Sequence, residues 1–220
     1  MTTAAPAAGH LVLENLTVSL AGERLVEIDA AVGPGEILTV MGPSGSGKST
    51  LLAAITGTLA PAFAMTGRVL LDGAAISSRP THRRGIGLMM QDDVLFPHLS
   101  VGANLAFGLS AAVRSTEERH ARVEAALAAA GLEGMAARDP ATLSGGQRSR
   151  VALMRALLAE PHAILLDEPF SKLDAGLRAQ IRGFTFDQIR AAGLPAMLVT
   201  HDQEDAAAAG GPILPPRSAG

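Results

Sequence analysis

Nine consecutive residues, from Gly42 to Thr50, have the types and spacing needed to hold a polyphosphate. The first eight of them match the pattern G-x-x-x-x-G-K-[ST]. Glycines at 42, 45 and 47 permit backbone conformations that side chains forbid, so several N–H groups can turn toward one anion. Lys48 supplies a charge for the β- and γ-phosphates, and the Ser49 hydroxyl can ligate Mg²⁺. The candidate nucleotide-binding residues are therefore Gly42, Pro43, Ser44, Gly45, Ser46, Gly47, Lys48, Ser49 and Thr50.

The segments on either side of this loop support the match. Residues Glu36–Met41 are mostly apolar and β-prone, which is typical of a buried strand. Residues Lys48–Thr56 favour a helix, and Gly57 is a plausible stop. A strand, a glycine loop and a helix in this order place a helix N-terminus against the anion. The alternative, a chance glycine-serine loop, does not account for these flanks.

Two adjacent carboxylates, Asp167 and Glu168, follow the apolar segment Ala163–Leu166. In open α/β sheets, ligands bind beyond the carboxyl ends of the strands, so this pair and the phosphate loop can converge. Asp167 is then placed to hold Mg²⁺ through its water shell, and Glu168 to orient or deprotonate an attacking water. A solvated strand end is the alternative interpretation, and the spacing from the phosphate loop favours the functional one.

A second candidate anion site lies at Leu143, Ser144, Gly145, Gly146 and Gln147, just before a predicted helix. Its backbone N–H groups sit at the positive end of the helix dipole. An ordinary serine N-cap is the alternative, but a cap does not require two glycines and a glutamine. Two sites that both seek a γ-phosphate suggest that a second copy of the chain supplies one of them in trans.

The remaining pattern predicts an α/β protein. Strands are expected at 11–13, 16–20, 67–73, 86–90 and 196–200, with helices from about 146 to 158 and from 175 to 192. Strands that alternate with helices imply a parallel sheet. Residues 92–142 are alanine-rich and helical in character, with Ser115 and Glu118 resembling a capping box. After His201 the pattern fades, and we expect 210–220 to be irregular.

Composition limits the other possibilities. Of 220 residues 48% are hydrophobic, which suits a globular protein, and the net charge of −3 gives no sign of nucleic-acid binding. The chain has no cysteine, so disulfides and thiolate metal sites are excluded. No apolar stretch approaches 18 residues, so no transmembrane helix is predicted. Residues 1–9 lack the character of a signal peptide, and we expect them to form a loose N-terminal tail.

Taken together, these motifs resemble those of ATP-binding-cassette (ABC) transporter ATPase subunits of the importer type. In the family's terms the segments match Walker A (42–50), the Q-loop (Gln91), the signature (143–147), Walker B (163–168), the D-loop (171–174, with Asp174) and the H-loop (His201). All six occur in the family order over residues 11–205. The stretches 95–101 and 200–204 look like the importer subgroup, and 139–143 with the short C-terminus is most similar to Ynj-type importer ATPases.

The resemblance implies a role for each matching residue. Ser49 and Gln91 would ligate Mg²⁺, and Asp167 would act through its water. Glu168 would be the general base, and His201 would contact the γ-phosphate. A lone histidine at a strand end normally has no such role, but the position of His201 after a strand and 34 residues past Asp167 favours the functional one. The implied catalytic residues are Glu168, His201, Gln91 and Lys48. The signature residues and Asp174 would act across a homodimer that sandwiches two ATP molecules.

The resemblance also implies a fold and a setting. We expect a P-loop NTPase (RecA-like) parallel-sheet core with an N-terminal antiparallel β part and an inserted α-helical subdomain at about 92–142, all within one domain spanning 10–209. The chain would lie peripherally on the cytoplasmic face of the inner membrane, with permease subunits and a substrate-binding protein as partners. Residues 92–99 would line the permease groove, although simple core packing explains Val94, Leu95 and Phe96 equally well.

One departure from the family concerns the nucleotide base. Family members usually stack adenine on an aromatic residue upstream of Walker A, whereas this chain has no Tyr or Trp and its first Phe is Phe63. The corresponding place falls near Leu20 or Ala21, which predicts weaker base contacts and looser discrimination among nucleotides. Two other functions stay open at this point: a soluble ABC-type ATPase with a non-transport partner, and an ATP-binding module without turnover. Glu168 and His201 argue against the last.

Overall fold

The structure is a computed structural model that describes residues 9–215, except Ser44 and Asp93. In chain order, the strands and helices are β1 (Leu11–Leu20), β2 (Glu23–Val32), β3 (Ile37–Met41), α1 (Lys48–Thr56), β4 (Phe63–Leu71), β5 (Ala74–Ala75), β6 (Ile86–Met89), α2 (Val101–Gly108), α3 (Thr116–Ala129), α4 (Gly145–Leu158), β7 (Ala163–Asp167), α5 (Ala175–Ala191), β8 (Ala196–Thr200), α6 (Gln203–Ala209) and β9 (Ile213–Leu214). Short 3₁₀ turns occur at Thr81–Arg83 and Pro140–Thr142.

The chain forms two compact units. The first contains Met1–Ile86, His162–Glu168 and Phe186–Gly220, and the second contains Gly87–Pro161 and Pro169–Thr185. Both sheets have most of their strands in the first unit, and helices dominate the second. Among the described residues, no helix combines the length and the apolar character needed to cross a bilayer.

An antiparallel sheet forms one layer of the first unit, with strand order β2-β1-β4-β5. Alternate residues of β1 are buried, as the period of two predicts for a half-exposed strand. A register shift between Leu13 and Leu16 bends β1, and it explains why the sequence pattern suggested two separate strands there. The antiparallel part expected near the N-terminus is therefore confirmed.

A parallel sheet forms the second layer, in the order β7-β8-β3-β9, and β6 begins beside β7 at Ile86. Strands β3 and β8 run in register, with Met41 opposite Thr200, and β7 joins them with Asp167 opposite Val199. Both β7 and β8 are buried along almost their whole length, as parallel strands covered on both faces should be. Their carboxyl ends therefore meet at one edge of the sheet.

Helix α1 packs between these two layers and has the bounds that the sequence predicted, Lys48 to Thr56, with Gly57 as its C-cap. Its apolar residues Leu51, Leu52 and Ile55 join a core with side chains from both sheets. Burying one such side chain contributes about 1.5–3 kcal/mol to the free energy of unfolding. This packing fixes the helix and, with it, the loop that precedes its first residue.

The second unit has its own core, formed mainly by α2, α3 and α4 around Leu105, Leu127 and Val151. Ser115 caps α3 as predicted, since its hydroxyl accepts a hydrogen bond from the Glu118 amide. The reciprocal half of the expected capping box differs, because the Glu118 carboxylate pairs with Arg122 instead. The proposed extent of a helical subdomain, about 92–142, stays a prediction.

Two parts of the fold differ from the sequence-based expectation. Strand β2 was not predicted, although it pairs with β1 along nearly its full length. Helix α6 and strand β9 were not predicted either, yet Asp202 caps α6, and Ile213 pairs with Thr39 of β3. The expectation of an irregular chain from 210 onward is therefore wrong at 213–214, because a two-residue strand is too short to show a period. The terminal segments 1–8 and 216–220 lie outside the described residues.

Candidate functional site

The phosphate loop connects the end of the largely buried strand β3 to the first residue of α1, as the sequence predicted. Gly47 is the N-cap of α1 and has φ +84°, a left-handed conformation that favours glycine. A Cβ at this position would also lie 3.3 Å from the Leu25 carbonyl oxygen and the Val26 side chain. The loop therefore lies close against β2, and Gly47 is required both by conformation and by space. Ser44, a predicted phosphate ligand, lies outside the described residues.

Lys48 is held inside this loop. Its side chain is only 5% exposed, and its ammonium donates hydrogen bonds to the carbonyl oxygens of Gly42 and Pro43, both at 2.8 Å. An ammonium carries three N–H donors, so these two carbonyls engage two of them and fix its direction. The Glu168 carboxylate lies 3.7 Å from the same nitrogen and balances its charge.

The hydroxyl of Ser46 is a further polar group of the loop. It is buried, and it has no hydrogen-bond partner among the described residues. Buried polar groups in proteins are nearly always hydrogen-bonded, so a group without a partner calls for an explanation. A phosphate oxygen bound in the loop would supply the missing partner, which fits the predicted role of Ser46.

Asp167 ends β7 and is half-buried beside the phosphate loop. Burial raises the pKa of its carboxyl, the negative charge of Glu168 raises it further, and Lys48 together with a hydrogen bond from the Ser49 hydroxyl acts in the opposite direction. The structure thus joins Ser49 and Asp167, the two oxygen ligands that the sequence predicted for Mg²⁺ in this unit. Mg²⁺ prefers oxygen ligands and is usually held by one or two carboxylates plus substrate phosphates, so this donor set fits the ion.

Glu168 has a strained backbone. Its φ is +46°, which is uncommon for a residue with a side chain, and its amide donates to the carbonyl of Val199 in the neighbouring strand at 2.9 Å. This conformation turns the chain sharply at the end of β7. Strained conformations of this kind persist where the surrounding structure enforces them, and they concentrate at functional sites.

His201 follows β8 directly, and its Nδ1 lies 3.2 Å from Oε1 of Glu168. Hydrogen bonds between residues on either side of His201 fix the turn. The Thr200 hydroxyl donates to Asp205 at 3.3 Å and accepts from the amide of Asp202 at 3.0 Å. Asp202 and Asp205 were not among the predicted residues, although an aspartate followed by two acidic residues is a recognisable helix-start signal.

The structure therefore brings together five predicted residues at one edge of the parallel sheet: Lys48, Ser49, Asp167, Glu168 and His201. They reach this edge because β3, β7 and β8 run parallel and in register. Within the described part of the chain, no three His, Asp or Glu side chains cluster as a metal site.

The other predicted site residues, Gln91, Asp174 and Leu143–Gln147, belong to the second unit. Gln91 is exposed just beyond β6. The carboxylate of its neighbour Asp92 forms an ion pair with Lys172, two residues before Asp174. Asp174 accepts a hydrogen bond from the Leu177 amide at the start of α5. An ion pair thus joins the segment around Gln91 to the segment around Asp174.

The signature segment forms a complete capping box at the start of α4. The Ser144 hydroxyl accepts from the Gln147 amide, and the Gln147 side chain accepts from the Ser144 amide at 3.0 Å. Gly146 also has a packing role, because a Cβ there would lie 2.6 Å from the Leu177 side chain. The sequence-based statement that a cap does not require Gln147 and the two glycines is therefore wrong for Gln147, which completes the capping box. It holds for Gly146, which packing against Leu177 explains instead. It still applies to Gly145, where a Cβ would meet its nearest neighbour at an ordinary 3.7 Å.

A family model for the ABC transporter matches residues 25–171, more than half of the chain. The chain belongs to the ABC transporter family. It is similar to the ABC transporter ATP-binding protein YnjD of Escherichia coli K12, with 48% identity over 196 residues, which are 89% of this chain and 90% of YnjD. The subunits of this family that bind ATP also hydrolyse it, and this ABC chain is such an ATPase.

Two longer relatives match the chain over most of its length. The Fe(3+) ions import ATP-binding protein FbpC of Mesorhizobium japonicum is 44% identical over 83% of this chain and 50% of its own length. FbpC 1 of Rhizobium meliloti is 39% identical over 97% of this chain and 60% of its own. The chain thus spans about half to three fifths of these two proteins, whereas it spans nearly all of YnjD.

Proposed function

We propose that this ABC ATPase drives an importer by binding and hydrolysing ATP as a homodimer attached to transmembrane permease subunits. The observation that carries the proposal is the position of Glu168, whose carboxylate lies between the Lys48 ammonium and the His201 ring at the mouth of the phosphate loop. A base, a cation and a second proton-bearing group then surround the place where a γ-phosphate would lie. The names of the FbpC relatives support the direction of transport.

Phosphate binding belongs to the loop that precedes α1. Its backbone N–H groups and the helix N-terminus attract the β- and γ-phosphates, and Lys48 adds a positive charge already aimed by two carbonyl oxygens. Ser46 offers a buried hydroxyl to the same phosphates. Because these groups are fixed before the nucleotide arrives, little ordering is needed on binding.

Ser49, Asp167 and Gln91 are the residues that we assign to Mg²⁺, with Asp167 acting through a water. The ion would neutralise charge on the phosphate oxygens during transfer. For this role the Asp167 carboxyl must be ionised, and the Ser49 hydroxyl and the Lys48 charge favour its ionised form. Burial and the negative charge of Glu168 oppose it, and together they raise the pKa of the Asp167 carboxyl.

Glu168 is the general base in this proposal. It would accept a proton from the water that attacks the γ-phosphorus, while His201 holds the carboxylate by its ring nitrogen and contacts the γ-phosphate. General bases of this kind contribute about 10²–10⁴-fold to a rate. The Lys48 ammonium lies 3.7 Å from this carboxylate, on the side of the phosphate loop.

The homodimer completes each site. The backbone N–H groups at the start of α4, with Ser144 and Gly145, would meet the γ-phosphate held by the partner subunit, and Asp174 would cross the same interface. ATP then favours the closed dimer only to the extent that it binds the closed state more tightly than the open one. Loss of the γ-phosphate removes that difference, and the dimer reopens.

The location of the chain in the cell follows from its attachment to the permease. As a peripheral subunit, the chain would lie on the cytoplasmic face of the inner membrane, and a substrate-binding protein would complete the importer. Fe(3+) is named as the cargo of the FbpC relatives. In an assembly of this kind the cargo is recognised by the permease and the binding protein, so small solutes and inorganic ions are both candidates for this chain.

Phosphate release by the purified chain tests the proposal. Glu168→Gln should abolish release from Mg·ATP while retaining ATP binding, and light scattering should then show a particle of twice the 22.5 kDa mass of one chain. Glu133→Gln, a change at an exposed glutamate in the second unit, is the matched control and should behave as the parent. If Glu168→Gln hydrolyses ATP at the parent rate, the base is misassigned.

Co-expression with candidate permease subunits tests the importer assignment. We expect a stable complex that takes up solute in an ATP-dependent manner when reconstituted in vesicles. An active ATPase that assembles with no multi-span membrane protein would instead support the soluble alternative with a non-transport partner.

A further inference from the structure

Thr200, the last residue of β8, has a side chain that the proposed mechanism does not use. The residue is buried at the end of the strand. Its hydroxyl accepts a hydrogen bond from the amide of Asp202 at 3.0 Å and donates one to the carboxylate of Asp205 at 3.3 Å. One hydroxyl therefore joins the end of the strand to two residues that lie beyond His201.

Asp205 is the buried end of this connection. It lies in the first turn of α6 and is only 3% exposed. Asp202 caps the helix, since its carboxylate accepts a hydrogen bond from the amide of Asp205 at 3.3 Å. At the other end of α6, Arg190 donates to the carbonyl of Ala209 at 2.8 Å. Because both ends of this helix are held, the Asp205 carboxylate is a fixed acceptor for the Thr200 hydroxyl.

The ring of His201 depends on this turn for its direction. Its side chain is 55% exposed, so burial does not fix the ring. A hydroxyl that accepts from the amide two residues later forms a turn, and the residue between Thr200 and Asp202 is His201. The direction of the ring is therefore set by this turn, together with the 3.2 Å contact between its Nδ1 and Oε1 of Glu168.

Strand β8 also holds the backbone of Glu168. The carbonyl of Val199, one residue before Thr200, accepts a hydrogen bond from the Glu168 amide at 2.9 Å. Thr200 itself lies opposite Met41 of β3 in the parallel sheet. All of these residues, and His201, belong to the first compact unit. The strand thus sets the position of Glu168, and the turn that ends the strand sets the position of His201.

We propose that Thr200 and Asp205 are positioning residues for ATP hydrolysis, because their hydrogen bond fixes the turn that directs His201 toward Glu168. This inference rests on the proposed function, in which Glu168 is the general base and His201 holds its carboxylate. Both residues act through His201. The groups of the phosphate loop do not belong to this turn, so ATP binding should depend little on it.

The test compares Thr200→Val with Thr39→Val in the full-length chain. Each change removes one buried hydroxyl from the parallel sheet and keeps a β-branched side chain. Thr39 of β3 is buried, and its hydroxyl has no hydrogen-bond partner among the described residues, so its variant is a matched control.

For Thr200→Val we expect kcat to fall about 10-fold, since small misplacements of reacting groups have effects of this order. The ATP KM should stay within a factor of about three, because the lost interaction acts on the transition state. Thr39→Val should match the parent in both constants. Thr200→Ser keeps the hydroxyl, and its kcat should lie within about 2-fold of the parent value.

A double-mutant cycle separates positioning from loss of stability. If Thr200 acts through His201, Thr200→Val should lower kcat no further in a His201→Ala background, because residues that act as a unit are non-additive. Val69→Ala removes buried side-chain volume from β4 and provides the comparison for stability. It should lower Tm without changing kcat per folded molecule.

The His201 ring can also be observed directly by NMR of protein that carries isotope-labelled histidine. Its signals are those that the His201→Ala spectrum lacks. Thr200→Val should shift them, whereas Thr39→Val should leave them at the parent positions. If Thr200→Val does not fold, Asp205→Ala takes its place, because it removes the carboxylate and keeps the bond between Thr200 and Asp202. This variant should shift the same signals and lower kcat about 3-fold.

Three results would each overturn the positioning role: an unchanged kcat in the folded variant, effects that multiply in the His201→Ala background, or ring signals that do not shift. A failure of the proposed function is recognised separately, because the parent chain and Thr39→Val would then release no phosphate from Mg·ATP.

Discussion

Oε1 of Glu168 lies 3.2 Å from Nδ1 of His201, and the two residues follow the carboxyl ends of neighbouring parallel strands. The amide of Glu168 is bonded to the carbonyl of Val199, two residues before His201, so the backbone fixes the same relationship. At this distance an imidazole N–H can donate a hydrogen bond to a carboxylate oxygen, so each group orients the other. We therefore expect them to act as one unit in hydrolysis.

A double-mutant cycle checks this expectation. Glu168→Gln and His201→Ala should each lower kcat by about 100-fold or more, as is usual for loss of a general base or its partner. The double variant should be little worse than either single one, because residues that act as a unit are strongly non-additive. If the two effects multiply in measurements of phosphate release, the residues act independently.

The contact between Glu168 and His201 could not be predicted from local features of the sequence. The glycine spacing and the flanking apolar runs were enough to place the phosphate loop, α1 and the carboxylates after β7. The contact between Glu168 and His201 depends on the register of β7 and β8, which is set by packing across the whole sheet and leaves no local signal. Strand β2 was missed although the turn before it, Ala21-Gly22, separates two alternating runs by two residues, which is a hairpin signal.

Asp167 provides a pH-dependent test. A carboxyl whose pKa is raised on folding holds its proton more readily in the folded state than in the unfolded one. The free energy of unfolding therefore falls as the pH rises from the ordinary value of 3.8 through the raised value. Asp167→Asn removes this penalty. Without metal, in EDTA, we expect the variant to have a higher Tm than the parent at pH 7, and the difference to vanish below pH 3.8.

The same variant should lose function. Its amide cannot carry the negative charge that the Mg²⁺ role requires, so Mg²⁺-dependent hydrolysis should fall sharply although the protein is more stable. A lower Tm for Asp167→Asn at pH 7 would show that the Ser49 and Lys48 interactions outweigh burial and the charge of Glu168.

Variants of the two glycines at the start of α4 distinguish a role in packing from a role in the nucleotide site of the partner subunit. Gly146→Ala places a methyl group 2.6 Å from Leu177, and overpacking of this kind typically costs about 1–3 kcal/mol of unfolding free energy. Gly145→Ala meets only an ordinary contact at 3.7 Å, and alanine is about 1 kcal/mol better than glycine within a helix. We expect Gly145→Ala to be at least as stable as the parent in urea.

ATPase activity should rank the two variants in the opposite order: per folded molecule, Gly145→Ala should be the less active of the two. If the start of α4 closes over ATP held by a second copy, a methyl group on Gly145 blocks that approach and phosphate release should fall, whereas ATP binding to the single chain should not. Full activity of Gly145→Ala would mean that this glycine does not meet the partner's nucleotide.

The ion pair between Lys172 and Asp92 offers a test of communication between two loops. Both side chains are more than half exposed, so the pair should contribute no more than about 1 kcal/mol to stability, and salt should weaken it. Lys172→Glu or Asp92→Lys should each lower kcat at low salt, because the segments of Gln91 and Asp174 are then uncoupled. The exchange of both charges should restore kcat, and a double variant as impaired as the singles would exclude the coupling.

The hairpin between β1 and β2 bears on nucleotide selectivity. Ala21 has φ +51° and Gly22 φ +87°, so the turn forces Ala21 into the left-handed region. A tyrosine at 21 would be strained there, and any effect on binding would be mixed with loss of stability. Leu20 is the better position for an added ring, because it is a strand residue, 38% exposed, and pairs with Phe63 of β4.

We predict that Leu20→Tyr strengthens ATP binding relative to the parent, since stacking of a base on an aromatic side chain contributes roughly 1–3 kcal/mol in nucleic-acid complexes. The parent should bind ATP, GTP and CTP with similar affinity, because its phosphate loop binds the phosphates and does not distinguish between bases. Titrations of the three nucleotides with both proteins check this, and Leu20→Met is the control that changes the apolar side chain without adding a ring. A parent that already prefers ATP strongly would show that another group recognises the base. Equal affinities in Leu20→Tyr and Leu20→Met would place the base away from this end of the hairpin.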